Sequence, residues 1–266
     1  MPPIPIQQVP ITWLCVMTTA AVLLSVNIGF RVGSRRRRKL GSLPDGPVGL
    51  VVGAVLSLLA FMLAFTFGIS SNRFESRKQL LLDDVNAINT AAFRADLIQE
   101  PHRTSCRTLL KQYVDVRVRT AASRGEGLAD AIRVSENLLA RLWRHAIELA
   151  RADLNSDIGA LFVESINDVY QMNTSRLTVA IHYHIPPIIW TVLGLLTILS
   201  MIGVGYQFGV LECRSNTAIL ILAFSFSLVV GLIADLDRST TGLLKVSQKP
   251  MLDLQARLTD ALDAPE

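Results

Sequence analysis

The chain has 266 residues, half of them apolar, and carries a formal net charge of only +4. With a positive mean hydropathy, that composition excludes an ordinary soluble domain, which would be more polar at this length. Three cysteines with no metal-ligand spacing exclude a disulfide framework and a cysteine zinc site.

The first apolar stretch runs from Ile11 to Phe30 and holds no charged side chain. It is long enough to cross ~30 Å of hydrocarbon as a helix. No charged side chain precedes it, and the basic run Arg35 to Lys39 follows it. A cleaved signal peptide has the reverse order, so the stretch is read as a retained anchor with its N-terminus outside. Arg31, Arg35, Arg36, Arg37, Arg38 and Lys39 face only Asp45 before the next apolar stretch. The run lacks aromatics and is tied to the bilayer. It therefore reads as a topology signal touching anionic headgroups rather than as a nucleic-acid patch.

Val48 to Ser70 is the second charge-free stretch. Gly49, Gly53 and Ser57 recur along it at i, i+4 and i+8, a small-residue ridge that permits close helix contact. Packing within the chain and a subunit interface both fit that ridge. Nothing breaks the pattern after Ser70, so the helix is expected to continue outward. There Leu81, Val85, Ile88 and Ala92 line one face. Pro101 marks a stop and a restart. A helix is expected from His102 to Ala121, because the alternation in "VDVRVR" would leave a lone strand without a partner. Another starts near Leu128, with Leu128, Ile132, Leu139, Leu142, Trp143 and Ile147 on its apolar face. Asn155 and Ser156 read as the N-cap of a fourth helix carrying Ile158, Leu161, Phe162, Ile166 and Val169 toward Pro186 and Pro187.

Pro186 to Tyr206 and Asn216 to Ala234 are the third and fourth apolar stretches. The expected organisation has four parts. Residues 1–70 form a first transmembrane hairpin, with spans at 11–30 and 48–70. Residues 71–185 form an extramembrane helical domain, residues 186–235 a second hairpin with spans at 186–206 and 216–234, and residues 236–266 a tail. The fold class is all-α, a polytopic membrane protein with a helical bundle between the second and third spans. The tail holds one amphipathic piece, "PMLDLQARLTDAL".

Catalytic chemistry needs converging acid, base or nucleophile groups, and none is evident. His182 and His184 are two apart and diverge on a helix. Metal binding and an interfacial role are both open to them. Cys106 has His102 one turn away but no orienting third group. The sequence contains no HExxH and no phosphate-cradling glycine loop. No enzyme and no cofactor are expected. Proton-driven carriers keep an ionisable group at membrane depth, and these spans keep none. A pore would be lined by apolar, hydroxyl or aromatic groups, with Phe61, Phe65, Phe67, Phe224, Ser225, Phe226 and Ser227 as candidates.

The fourth stretch ends in acids, "IADLDRSTTGLLKVSQKP". Acids at a helix C-terminus oppose the macrodipole. Asp235 and Arg238 are three apart and can meet, which leaves Asp237 in need of a cation. The second span exits on the side where the fourth ends, so Arg73 lies at similar depth. An interfacial charge network of Arg73, Asp235, Asp237 and Arg238 is expected, with Asp84 and Asn86 about three turns further along, extending its polar surface.

"AFTFGISSNRFESRKQLLLDDVNAINTAAFRADL" in and after the second span, with "DLDRSTTGLLKVSQKPMLDLQ" after the fourth, resembles the bacterial bestrophin-like family of four-span membrane proteins, named for a proposed likeness to bestrophin anion channels. The resemblance covers nearly the whole chain and implies an inner-membrane location. It points to Arg73, Phe74, Asp84, Asn86, Ala87, Ile88, Thr90 and Arg94, and in the tail to Asp235, Asp237, Arg238, Gln248 and Pro250. Asp83 and Asp84 stand where the family pattern leads one to expect Glu. The resemblance implies an oligomeric, anion-conducting channel in a lipid bilayer. The alternative is a non-conducting sensor or scaffold whose helical domain binds a partner. Bestrophins keep the segment between spans two and three in the cytoplasm. The basic run argues for the opposite orientation, with the N-terminus and residues 71–185 extracytoplasmic and Cys106 and Cys213 on opposite sides.

Overall fold

The computed structural model describes residues 9–40, 48–123, 127–212, 215–238 and 242–263. Asp45, Cys213 and residues 124–126 lie outside the described residues. Eight helices occur among the described residues. They are α1 (Ile11–Leu40), α2 (Val48–Ala95), α3 (His102–Ala122), α4 (Leu128–Ala152), α5 (Asp157–His182), α6 (Pro187–Leu211), α7 (Asn216–Asp237) and α8 (Lys249–Asp263). The protein is all-helical, and α1, α2, α6 and α7 are long and apolar enough to span a membrane. The helix boundaries differ from expectation at several points, the third span among them, which runs on from Tyr206 to Leu211. The basic run is not a loop but the last turns of α1. The fourth span continues through its two acids to Asp237. Helix α5 ends at His182, short of the proline pair. The second span does continue outward: at 48 residues α2 is about 72 Å long.

The chain forms two compact units, Met1–Arg73 with His184–Arg238, and Phe74–Tyr183 with Ser239–Glu266. In the first, α1 packs closely against α6 and α7. Glycines set the approach to α6. A Cβ at Gly29 would overlap the Ile202 carbonyl oxygen, and one at Gly205 the Val26 carbonyl oxygen. Gly33 and Gly209 meet the Tyr206 and Phe30 carbonyls in the same way. Each helix thus presents a G-x-x-x-G pair, and without side chains there the backbones approach to contact distance. Beyond the last turn of α1's apolar face, the Arg37 guanidinium donates to the Val210 carbonyl at 2.7 Å. It also lies 3.5 Å from Glu212.

The expected α2 ridge does not serve this purpose. Among the described residues, a Cβ at Gly49 would meet only the Gln207 side chain of α6, one at Gly53 would meet nothing within 4 Å, and Ser57 is exposed. Only the Gly49 end of the ridge approaches another described helix.

The second unit has its own core. Leu81, Val85 and Ile88 from α2 meet Tyr113 from α3, Leu142 from α4 and Ile166 from α5. Helix α3 packs on α4 and on α8, and α4 packs on α5. The tail thus belongs to this unit, with Met251 and Leu254 buried in its core. Gln255 donates to Asp115 at 2.7 Å. Ser156 caps α5, its hydroxyl accepting from the Gly159 amide at 3.0 Å. On α5 the buried face is Phe162, Ile166 and Val169, whereas Ile158 and Leu161 are exposed. On α4 Leu139 and Leu142 are buried. Trp143 is only half-buried and packs edge-on to Tyr170 at 6.3 Å.

Candidate functional site

Within the first unit, the ends of the spans meet at a cluster of buried charge. Asp235, Asp237 and Arg238 are 4, 3 and 6 % exposed. Asp237 Oδ1 accepts from Arg73 at 3.3 Å. The same oxygen accepts from the backbone amide of Ile185 at 3.1 Å. That amide lies between the end of α5 and Pro186, where no helix supplies it with an acceptor. Arg238 leaves the helical conformation, and its amide donates to the Asp235 carbonyl at 3.2 Å. Its guanidinium donates to the Val9 carbonyl just before α1. Asp235 also acts on Arg238 electrostatically. These bonds gather the start of α1, the Arg73 turn of α2, the start of α6 and the end of α7. Sequence reasoning reaches the four charged residues but not Ile185 or Val9, because backbone groups leave no trace in residue type.

The candidate pore residues divide into two groups. Phe61 and Phe65 are 66 and 55 % exposed, and their rings stack at 6.5 Å between centroids. With Gly53 and Ser57 they continue one inclined stripe at four-residue spacing along α2. Phe224 and Ser225 are exposed on α7, and Phe67 is exposed on α2. Ser227 is instead buried against α1. Its hydroxyl donates to the Cys15 carbonyl at 2.8 Å, and the Cys15 thiol points back at the Ser227 carbonyl. Phe226 is half-buried against the same core.

The remaining family-motif residues lie in the second unit. Asp84 does not extend a polar surface. It is fully buried and pairs with Arg117 on α3 at 2.8 Å, with Arg176 on α5 at 3.8 Å. Burial disfavours its charge and Arg117 opposes that effect. Arg176 also donates to Asn173, which accepts from the Tyr113 hydroxyl at 3.2 Å. Burial raises the Tyr113 phenol above its ordinary value, with the Asp84 charge adding to it. Asn86 and Thr90 are exposed. Arg94 donates to the Leu161 carbonyl at 2.6 Å and to Glu164 at 3.1 Å. Gln248 opens α8, its carbonyl accepting from Met251 and Leu252.

Cys106 is buried, and burial pushes its thiol up to about 12, with the Glu148 charge adding to the shift. An activated nucleophile needs the opposite. His102 turns to His145 on α4. His184 has a buried Nδ1 with no hydrogen-bond partner.

Four long apolar helices, a separate helical unit and a buried charge cluster at the span ends define a multi-pass helical membrane protein. The bestrophin-like domain matches residues 10–251. The chain belongs to the bestrophin-like family. A bacterial bestrophin homolog from Klebsiella pneumoniae superposes with a TM-score of 0.66 at 13 % identity, covering 97 % of this chain and all of that one. A single-substitution variant of a Klebsiella pneumoniae bestrophin homolog gives 0.65 at 12 %, covering 96 and 99 %. A crystallised membrane-protein variant gives 0.67 at 13 %, covering 97 and 100 %. At such identities the likeness is one of fold. No curated protein matches the chain.

Proposed function

We propose that the protein is an oligomeric channel for small inorganic anions in the bacterial inner membrane rather than an enzyme. The observation that carries this reading is the α2 stripe. Gly53, Ser57, Phe61 and Phe65 are exposed, and the two rings stack without being buried by the rest of the chain. A neighbouring copy packed along the small residues would bring the two rings toward a shared axis, as an apolar constriction of the kind that gates by dewetting. The absence of ionisable groups within the spans also fits a pore better than a proton-coupled carrier. The span-end charges then flank the membrane face where ions enter. The orientation follows the basic turns of α1, which the charge rule keeps cytoplasmic.

Purified protein in planar bilayers tests the reading. Anion-selective current that scales with protein dose, with conductance altered by Phe61→Ala and Phe65→Ala, is the expected result. Current unaffected by both substitutions removes α2 from the pore. Silence over many preparations favours a sensor or scaffold, for which the second unit offers an open cleft of about 600 Å³ beside Trp143, Asn167 and Tyr170.

A further inference from the structure

In the second unit, away from the span-end cluster, three side chains stand as metal ligands stand. His102 lies in the first turn of α3, and His145 and Glu148 lie one turn apart on α4. The two Nδ1 atoms are 3.0 Å apart. Each lies 3.8 Å from the same oxygen, Glu148 Oε2. A single hydrogen bond between the rings would account for the first distance. Glu148 Oε2 takes no part in that bond, lying equally far from both nitrogens and beyond hydrogen-bonding range of either.

A tetrahedral zinc ion with bonds of about 2.0–2.1 Å spaces its ligand atoms roughly 3.4 Å apart. The three edges here lie on either side of that value, so a small inward movement of Glu148 and a parting of the two rings by a few tenths of an ångström complete three vertices. Glu148 is the mobile partner, its side chain 61 % exposed against 22 and 26 % for the histidines. That exposure also gives the ion a path in and leaves the fourth vertex to water.

We propose that His102, His145 and Glu148 form a binding site for a divalent first-row transition cation, and that the ion pins the start of α3 to α4. Two imidazoles and a carboxylate suit zinc and its neighbours, whereas magnesium and calcium prefer all-oxygen sites.

The test uses the full chain in detergent, stripped with a chelator and dialysed against zinc. Wild-type protein should retain close to one zinc per chain and melt at a higher temperature than the stripped form. Cobalt should give the intense visible bands of a low-coordinate site. His102→Ala and His145→Ala should abolish both signals. Outer-shell partners alone are worth roughly 10–100-fold in metal affinity, so Glu148→Gln should weaken zinc at least that much. Glu148 is exposed, so this variant keeps the test meaningful even if the histidine variants fold poorly. Replacing His182 and His184 with Ala should leave the signals intact. No zinc retained by wild type, or affinity unchanged in Glu148→Gln, overturns the site.

Discussion

Asp237 Oδ1 accepts from two donors far from it in sequence, Arg73 and the Ile185 amide. Substitutions separate the two bonds. Asp237→Ala strands a half-buried guanidinium and a buried amide, for which the ~3–5 kcal/mol cost of losing one partner of a fully buried pair is an upper bound. Asp237→Asn keeps an acceptor for the amide and loses only the charge, so its loss in thermal stability should be clearly smaller. Arg73→Asp with Asp237→Arg should recover part of the combined loss but not all, because an arginine at 237 cannot accept from Ile185. Strict additivity of the two single losses would exclude direct coupling. Chain-crossing parity is enough to bring Arg73 and Asp237 to the same depth on paper. The fate of Asp84 was not legible in that way. Its partners Arg117 and Arg176 come from two other helices, and a surface acid and a buried one look alike in sequence.

At the level of elements, small residues at four-residue spacing do not by themselves make a contact. Gly29 and Gly33 on α1 lock against Gly205 and Gly209 on α6, whereas Gly53 on α2 faces open space. Spacing announces that a helix can be approached closely. It does not say by what. Gly205→Val should overpack the α1–α6 contact and cost ~1–3 kcal/mol or more. Gly53→Val should leave the stability of the single chain nearly unchanged, and its effect on the oligomer would report a contact between copies. Helix α8 makes a second testable contact. Burial pushes the Asp115 carboxyl up, but hydrogen bonds from Gln255 and Lys111 outweigh it and leave the group below its ordinary value. The unfolded chain therefore takes up this proton more readily. The stabilisation is complete above the ordinary Asp value of about 3.9 and is lost as pH falls below it. Asp115→Asn should lower stability at neutral pH and flatten the acid limb of the unfolding curve. An acid limb identical to wild type would remove Asp115 from the docking of α8.

For the whole molecule, the four spans and the intervening helical unit were legible because charge-free stretches of membrane length are rare and apolar faces repeat at helical spacing. The assignment of the tail was not. An amphipathic helix declares that one face will be covered, and only the fold shows that α3 covers it. Orientation rests on the basic turns of α1. Cys106 cannot report it, since its thiol is buried. A cysteine at the exposed position 130 can: on the charge rule, Asp130→Cys in a background lacking the native thiols should react with an impermeant reagent on intact spheroplasts. Labelling only after lysis reverses the orientation and aligns it with that of bestrophins.

The placement of Asp237 also bears on how the chain is made. The acceptor that serves Arg73 and Ile185 is the last residue of the last span, so it leaves the ribosome after both donors. Arg238, which fastens the start of α1, arrives one residue later still. Closure of this face therefore waits for the end of the fourth span. A chain ending at 234 leaves Arg73 and the Ile185 amide without this acceptor, so pulse-labelled truncations ending at 234 should be degraded faster than those ending at 248, both of which lack α8.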